Sequence, residues 1–220
     1  MKSEKKLNAF HKIFNLFFEK GYRLFMVGGT VRDYLLGIEL FDMDVVTDAT
    51  PEEMKTFIPE ADYTFARFGS VKLKVDGVKF DITTLRKEAG YLDARHPNQI
   101  VFCNSLEEDV KRRDFTINAL YMDDNLKIYD YVNGQKDLND KIIRMIGDPD
   151  KRIKEDPLRI LRALRFSIDF GFSLDSMLKK SIENNKDLIN KLNPEKIKEE
   201  LHKCKDEKKL REYLNHLCNL

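Results

Sequence analysis

The sequence predicts an α+β fold: a mixed head of strands and helices followed by an all-helical segment. Three observations predict it. Short apolar runs of strand length alternate with helical patterns up to about residue 132. A strong two-residue turn signal, Asp76-Gly77, joins two of those runs as a hairpin. From about Lys136 onward only helical spacing remains, and strands followed by helices alone point to α+β with a helical appendage. The predicted division is a head over residues 1–132 and a helical neck over residues 133–220.

Taken in order, Leu7, Phe10, Phe14, Phe17 and Phe18 recur at helical spacing and predict an amphipathic first helix that stops at Gly21. Arg23–Val27 reads as a buried strand running into Gly28-Gly29 and a short helix, Thr30–Leu36, closed by Gly37. The next strand is expected to carry Asp42 and Asp44. Thr50-Pro51-Glu52-Glu53 has the form of a helix start: a capping threonine, proline at the first position and acids in the first turn. Val71–Val75 and Val78–Thr84 form the hairpin. Lys87–Asn98, KEAGYLDARHPN, has no periodicity and is expected to be a loop, with Ile100–Cys103 as a short strand after it. Ser105-Leu-Glu-Glu108 has the capping-box form and predicts a helix running on through EEDVKRRDFTINALYM. Lys127–Tyr131 is the expected last strand. Beyond it the pattern predicts helices over Asp137–Ile146, over Asp150–Phe170 ending at Gly171, and then two lysine-rich helices, the second opened by Asn193-Pro194.

Composition narrows the function classes. Hydrophobic residues make up 42% and charged residues 35% of the 220, which suits a water-soluble domain with a heavily charged surface. The formal net charge is +1, so a nucleic-acid partner would be held by local basic patches and not by the field of the whole chain. No apolar run is long enough to span a membrane, and the basic N-terminus lacks a cleavage-site pattern. Cys103, Cys204 and Cys218 form no CxxC pair, and His11, His96, His202 and His216 form no ligand cluster. A reducing, cytoplasmic setting without structural zinc is the expectation.

Three constellations carry chemistry. Asp42 and Asp44, on alternate positions of one strand, would face the same way and repel unless a cation lies between them. Hard oxygen ligands with phosphates filling other positions suit Mg²⁺. The alternative, a surface carboxylate beside an N-cap, is weakened by three neighbours: Gly28-Gly29, whose backbone N–H groups can meet phosphate; Arg32, one turn on; and Asp81, a charge flanked by apolar residues. The second constellation is Lys111–Leu120, KRRDFTINAL. Arg112-Arg113-Asp114 sits directly before apolar residues, which places an arginine near the core, where its fork needs an anion. The third is Glu155–Phe166. Arg159, Arg162 and Arg165 recur every third residue beside a leucine stripe, and Asp156 lies one turn before Arg159. A salt-bridged amphipathic helix is one reading. The other is that Asp156 and Arg159 meet a base edge, the carboxylate accepting from the exocyclic amine of cytosine or adenine and opposing guanine O6 and uracil O4.

A Gly-Gly corner, an arginine and strand-borne aspartates resemble the nucleotidyltransferase fold of the DNA polymerase β superfamily. In order and at familiar spacing, GGTVRD, FDMDVVTDATPEE, KFDITTLR, SLEEDVKRRDFTINAL and EDPLRILRALRF more closely resemble the class II tRNA nucleotidyltransferases, the CCA-adding enzymes and bacterial poly(A) polymerases, over about Arg23 to Phe172. The resemblance implies addition of C and A to the 3′ end of tRNA from CTP and ATP, with release of pyrophosphate. It implies Asp42 and Asp44 as Mg²⁺ ligands with Asp81 as a supporting carboxylate, and Gly28, Gly29 and Arg32 at the triphosphate. Arg113 would lie near sugar or phosphates, Asp156 and Arg159 at the base, and Arg162 and Arg165 at nucleotide or RNA phosphates. Lys87–Asn98 resembles the loop used in switching from C to A. Phe41 and Phe68-Gly69-Ser70 depart from the family pattern, where a small or polar residue and His-Gly-Thr are more usual. Family members also carry long helical body and tail domains that grip tRNA. These are expected to be absent here, with a homodimer or a separate tRNA-binding chain as ways to supply the grip. Rival readings are poly(A), CC-only or A-only addition, and a non-catalytic or split-enzyme RNA-binding fragment.

Overall fold

The computed structural model describes residues 2–91 and 97–218. Two compact units emerge: the first holds Met1–Ala89, Gln99–Arg113 and Asn118–Gly134, and the second includes Asp114–Ile117 and the chain from Gln135 on.

The first unit begins with α1 (Lys2–Glu19), β1 (Leu24–Val27) and α2 (Gly29–Leu35), followed by β2 (Met43–Thr47) and α3 (Pro51–Met54). Thr50 caps α3 as the sequence predicts: its hydroxyl accepts from Glu53 N–H at 3.3 Å, while the Glu53 carboxylate accepts from Thr50 N–H at 2.7 Å. Next come β3 (Ser70–Val75) and β4 (Val78–Thr84), joined at Asp76-Gly77 with φ of 51° and 81°, the paired positive φ of a type I′ hairpin. β5 (Arg86–Tyr91) and β6 (Pro97–Phe102) form a separate two-stranded sheet. The expected loop over Lys87–Asn98 is therefore strand at both ends, and its centre, with Asp93-Ala94-Arg95, lies outside the described residues. Arg86-Lys87-Glu88 opens β5 with no apolar alternation, so the sequence carries no period-2 signal there.

α4 (Leu106–Val110) is capped by Ser105 but ends after five residues, not at Met122 as the helical spacing predicts. The chain then turns through Lys111–Arg113 and forms β7 (Leu120–Met122) and β8 (Ile128–Asp130). β7 forms an antiparallel ladder with β1, pairing Met26 with Met122, so its backbone groups are committed to a partner far away in sequence. The main sheet has the order β3-β4-β2-β1-β7-β8, antiparallel throughout except for the parallel β2–β4 pair.

One face of this sheet is the core. Leu24 and Met26 of β1, Met43 and Val45 of β2, and Phe80 and Ile82 of β4 pack there with Phe10, Ile13 and Phe17 of α1. Phe18, read as part of the α1 stripe, instead stacks on Phe14 and stands 70% exposed, one residue round the helix from Phe17. Because side chains alternate along a strand, Asp44 and Asp81 fall on the opposite face. Asp42 lies just outside β2, at an exposed bend, and not on the strand with Asp44 as the sequence suggested.

The second unit contains α5 (Gly134–Asn139), β9 (Ile142–Ile143), α6 (Pro149–Glu155), α7 (Leu158–Phe170), β10 (Ser173–Leu174), α8 (Ser176–Asn185), α9 (Pro194–Lys203) and α10 (Glu207–Cys218). Several sequence expectations fail here: α5 ends at Asn139 instead of running to Ile146, because Ile142–Ile143 pairs with β10, and three described α-helices, not two, follow α7. The segment is not purely helical, since β9 and β10 pair in parallel. Asp150–Phe170 is also two helices, broken at Asp156-Pro157. Asp156 is extended, with φ −149° and ψ 95°, because the proline ring disfavours helical geometry in the residue before it. No described helix is long and apolar enough to cross a membrane.

Candidate active site

β2 and β4 run parallel in a register that sets Asp44 directly beside Asp81, with Met43 opposite Phe80 and Val45 opposite Ile82. Neighbouring strands lie about 4.8 Å apart, so two carboxylates meet on the face away from the core. Across the β3–β4 pair Lys72 stands opposite Asp81, its ammonium 3.3 Å from the carboxylate. A row Lys72–Asp81–Asp44 thus crosses three strands.

Asp44 bears the strain of this arrangement. Burial and the charge of Asp81 push its pKa up to about 6, against the pull of Arg113 and Arg32; Asp42 adds a smaller push. Its backbone N–H donates to the Thr30 hydroxyl at 2.8 Å, which ties the start of α2 to β2. Gly28 has φ +65°, and an added Cβ would lie 3.5 Å from Asp44 Oδ2, with the Gly29 position 3.6 Å from the same oxygen. The glycine pair therefore lies flat against the Asp44 carboxylate, in a conformation at Gly28 that side-chain-bearing residues rarely adopt. A hard divalent cation fits this donor set: two adjacent carboxylates, one of them held protonation-prone by the other. Among the described residues no three acidic, His or Cys side chains gather as a ligand group. The pair leaves further positions to water and phosphate oxygens, as a small hard ion requires.

The carboxylates open into a cavity of about 440 Å³ lined by Gly28, Asp44, Asp81, Phe65, Phe68, Arg86, Arg112 and Arg113, among others. Asp42 and Arg32 are outside that lining. Arg32 is buried, donating to Asn118 at 2.6 Å and to Asp33 at 2.8 Å. Arg113 is held by Asp109 and by the Tyr121 hydroxyl at 3.1 Å, with its guanidinium over the Tyr121 ring; Asp109 keeps it charged despite burial. Sequence reading missed Asp109, Tyr121, Thr30 and Asn118. Only Asp109 left a local signal, since it lies three and four residues before Arg112 and Arg113 on a helical turn.

The second unit carries the expected base-reading and phosphate-binding residues. Asp156 Oδ1 accepts from Leu158 N–H, the first amide of α7, at 3.1 Å. Arg159 is buried, donating to the Arg152 carbonyl at 2.5 Å and lying 3.4 Å from Glu155. Arg162 pairs with Asp114, whose carboxyl it holds down against burial. Arg165 donates to Glu200 at 2.9 Å and to Asp169 at 3.4 Å, and lies over the Phe166 ring. Expected at phosphates, Arg162 and Arg165 make intramolecular ion pairs in this structure.

Residues 24–144 match the poly A polymerase head domain. A CCA-adding enzyme of Lactobacillus helveticus is 44% identical over 84% of this chain and 46% of its own length. The CCA-adding enzyme of Bacillus pumilus is 41% identical, with the same coverage of both chains. Among solved structures, the Bacillus stearothermophilus CCA-adding enzyme in complex with CTP aligns with a TM-score of 0.81 at 33% identity, over 89% of this chain and 47% of that one. A tRNA nucleotidyltransferase complexed with a primer tRNA and an incoming ATP analog aligns with a TM-score of 0.70 at 34% identity, over 84% and 53%. The chain spans about half the length of the relatives it matches.

Proposed function

The chain belongs to the poly A polymerase head-domain family, and on that footing we propose that it adds C and A to the 3′ end of tRNA from CTP and ATP, releasing pyrophosphate. The observation that carries the proposal is the register pairing of Asp44 with Asp81 at the floor of an arginine-lined cavity. Two acids forced together beside fixed cations suit a reaction that brings a polyanion to a metal-activated hydroxyl.

In this reading Asp44, Asp81 and Asp42 hold Mg²⁺, with Asp42 joining the pair from its bend before β2. Held by these carboxylates, the ion would lower the pKa of the attacking hydroxyl and would neutralise charge on the leaving pyrophosphate. The remaining work belongs to side chains. Gly28 and Gly29 leave room for a phosphate group close to Asp44. Arg113 and Arg112 present planar donors to phosphate or ribose oxygens, and Arg32 braces the glycine corner through Asn118 and Asp33. Asp156 and Arg159 choose the base: the carboxylate accepts from an exocyclic amine and opposes a carbonyl. Arg162 and Arg165 hold α7 in place through Asp114, Asp169 and Glu200.

The test is incubation with tRNA lacking its terminal CCA, Mg²⁺ and each labelled nucleotide in turn. Incorporation of C followed by A is expected, and sequencing of the extended ends separates CCA addition from a run of A, which the family match also admits. Asp42→Ala is expected to abolish incorporation with the fold intact by circular dichroism. Incorporation by that variant at the wild-type rate would remove Asp42 from the metal site.

A further inference from the structure

Arg86, Arg112 and Arg113 all line the cavity that holds Asp44 and Asp81. Arg112 and Arg113 are adjacent in sequence and repel each other, and long side chains lining a cavity would spread over many rotamers. One residue prevents both. Asp109 on α4 is fully buried, and its two oxygens take guanidinium donors from Arg112 and Arg113 together with the backbone N–H of Arg86, whose own guanidinium donates to the Phe68 carbonyl. Oδ1 accepts from Arg112 Nε at 2.8 Å and from the Arg86 backbone N–H at 3.2 Å. Oδ2 accepts from Arg113 Nε at 3.0 Å and from the Tyr121 hydroxyl at 2.9 Å, and the Arg113 terminal nitrogen lies 2.8 Å away. The Tyr121 hydroxyl also accepts from Arg113 Nε at 3.1 Å, so the phenol and the carboxylate grip the same guanidinium.

We propose that Asp109, seconded by Tyr121, is the positioning residue for Arg112 and Arg113, fixing their forks in the orientation that receives the triphosphate of an incoming nucleotide. The inference rests on the nucleotidyl-transfer reading for its substrate, and on the geometry alone for its anion. Asp109 touches no substrate. It acts by consuming the Nε edges of Arg112 and Arg113, so that each guanidinium is anchored by one side and its planar fork is pre-oriented for bidentate contact with phosphate. An asparagine in its place offers one acceptor oxygen and turns an NH₂ group toward a guanidinium, so at least one arginine must leave its anchor.

Binding of inorganic triphosphate to the whole chain by calorimetry, in parallel with nucleotide kinetics, tests this. For Asp109→Asn, triphosphate binding about 10-fold weaker is expected, a change of ~1.4 kcal/mol. The KM for CTP and ATP should rise in step, while the KM for tRNA stays within 2-fold. Tyr121→Phe removes a single hydroxyl and should weaken triphosphate binding in the same direction by about 3-fold, which keeps the test decisive if Asp109→Asn folds poorly. A purely structural role would lower the melting temperature and the active fraction with KM and triphosphate affinity unchanged, and that result in either folded variant overturns the proposal. So does a wild-type chain that binds no triphosphate. Weakened triphosphate binding in the variants, with no nucleotide incorporation even by the wild type, would uphold the positioning role and sink the CCA-adding reading alone.

Discussion

Asp44 links pH to stability in a direction opposite to that of most buried carboxylates with partners. Burial and Asp81 raise its pKa to about 6 in the folded chain, from about 3.8 when unfolded. Between those values the folded state binds the extra proton, so stability is lost as pH rises from about 4 through 6. The loss is roughly 2–3 kcal/mol by pH 7 in metal-free buffer. Asp44→Asn is therefore expected to raise metal-free stability at pH 7 by about that much, read as the midpoint of urea unfolding. Added Mg²⁺ should stabilise the wild type and leave the variant unmoved; an Asp44→Asn protein that unfolds earlier at pH 7 would contradict the assignment of strain to this pair. In the second unit, Asp156→Ala is expected to relax nucleotide choice, raising incorporation of U or G relative to C and A by about 10-fold, on the order of one lost base contact. A variant that kept full discrimination would take base reading away from Asp156. The residue types of the site were legible in the chain: two glycines, an arginine and three aspartates at telling positions. Their pairing was not. Asp44 and Asp81 are 37 positions apart in sequence, and only the β2–β4 register makes them neighbours.

Elements whose signals are local are legible in the residues themselves. Thr50-Pro51-Glu52-Glu53 and Asp76-Gly77 each determine their own geometry within four residues, through a cap and a positive-φ turn. Errors arose where a distant partner decides the outcome. Lys111–Met122 has helical spacing, yet Leu120–Met122 joins the sheet beside β1, and Phe115 bridges to Met145. The break at Asp156-Pro157 was readable in principle, since proline restricts the residue before it, but the leucine and arginine periodicity on either side masked it. That periodicity also left two readings open for the arginine stripe, a salt-bridged helix or a phosphate contact. Glu200 of α9, 2% exposed, receives Arg165 of α7 and Lys203 of its own helix. Removing it takes the nearer partner from the Arg165 guanidinium and leaves Asp169 at 3.4 Å, so Glu200→Ala should cost about 3 kcal/mol, the low end for a broken buried pair, measured by thermal unfolding. A cost below about 0.5 kcal/mol, the scale of an exposed pair, would show that α7 and α9 are held together by their apolar faces alone.

For the molecule as a whole, the nucleotidyltransferase head with its mixed sheet and the helices that follow match the solved CCA-adding enzymes, so the fold class read from the sequence stands. The net charge of +1 has a consequence for RNA binding. Arg162 and Arg165 pair with Asp114, Asp169 and Glu200, and Lys196, Lys198 and Lys203 pair with glutamates one turn away. Each of these five cations is already paired with an acid, so it has less charge free to displace counterions from a phosphate backbone. On the proposed reading, tRNA affinity should fall with salt at a log–log slope of roughly −3, and a slope twice as steep would show that these ion pairs open to receive phosphate. β2 and β4 lie side by side in parallel. Along these strands the residues that bury themselves, Met43, Val45, Phe80 and Ile82, alternate with Asp44 and Asp81, the acids of the proposed metal site. A slip of one residue in either strand would drive a carboxylate into the oil and an isoleucine or valine into water. The packed interior therefore acts as the alignment gauge of the acid pair, and mutations that loosen it can misplace the chemistry without touching a single polar atom.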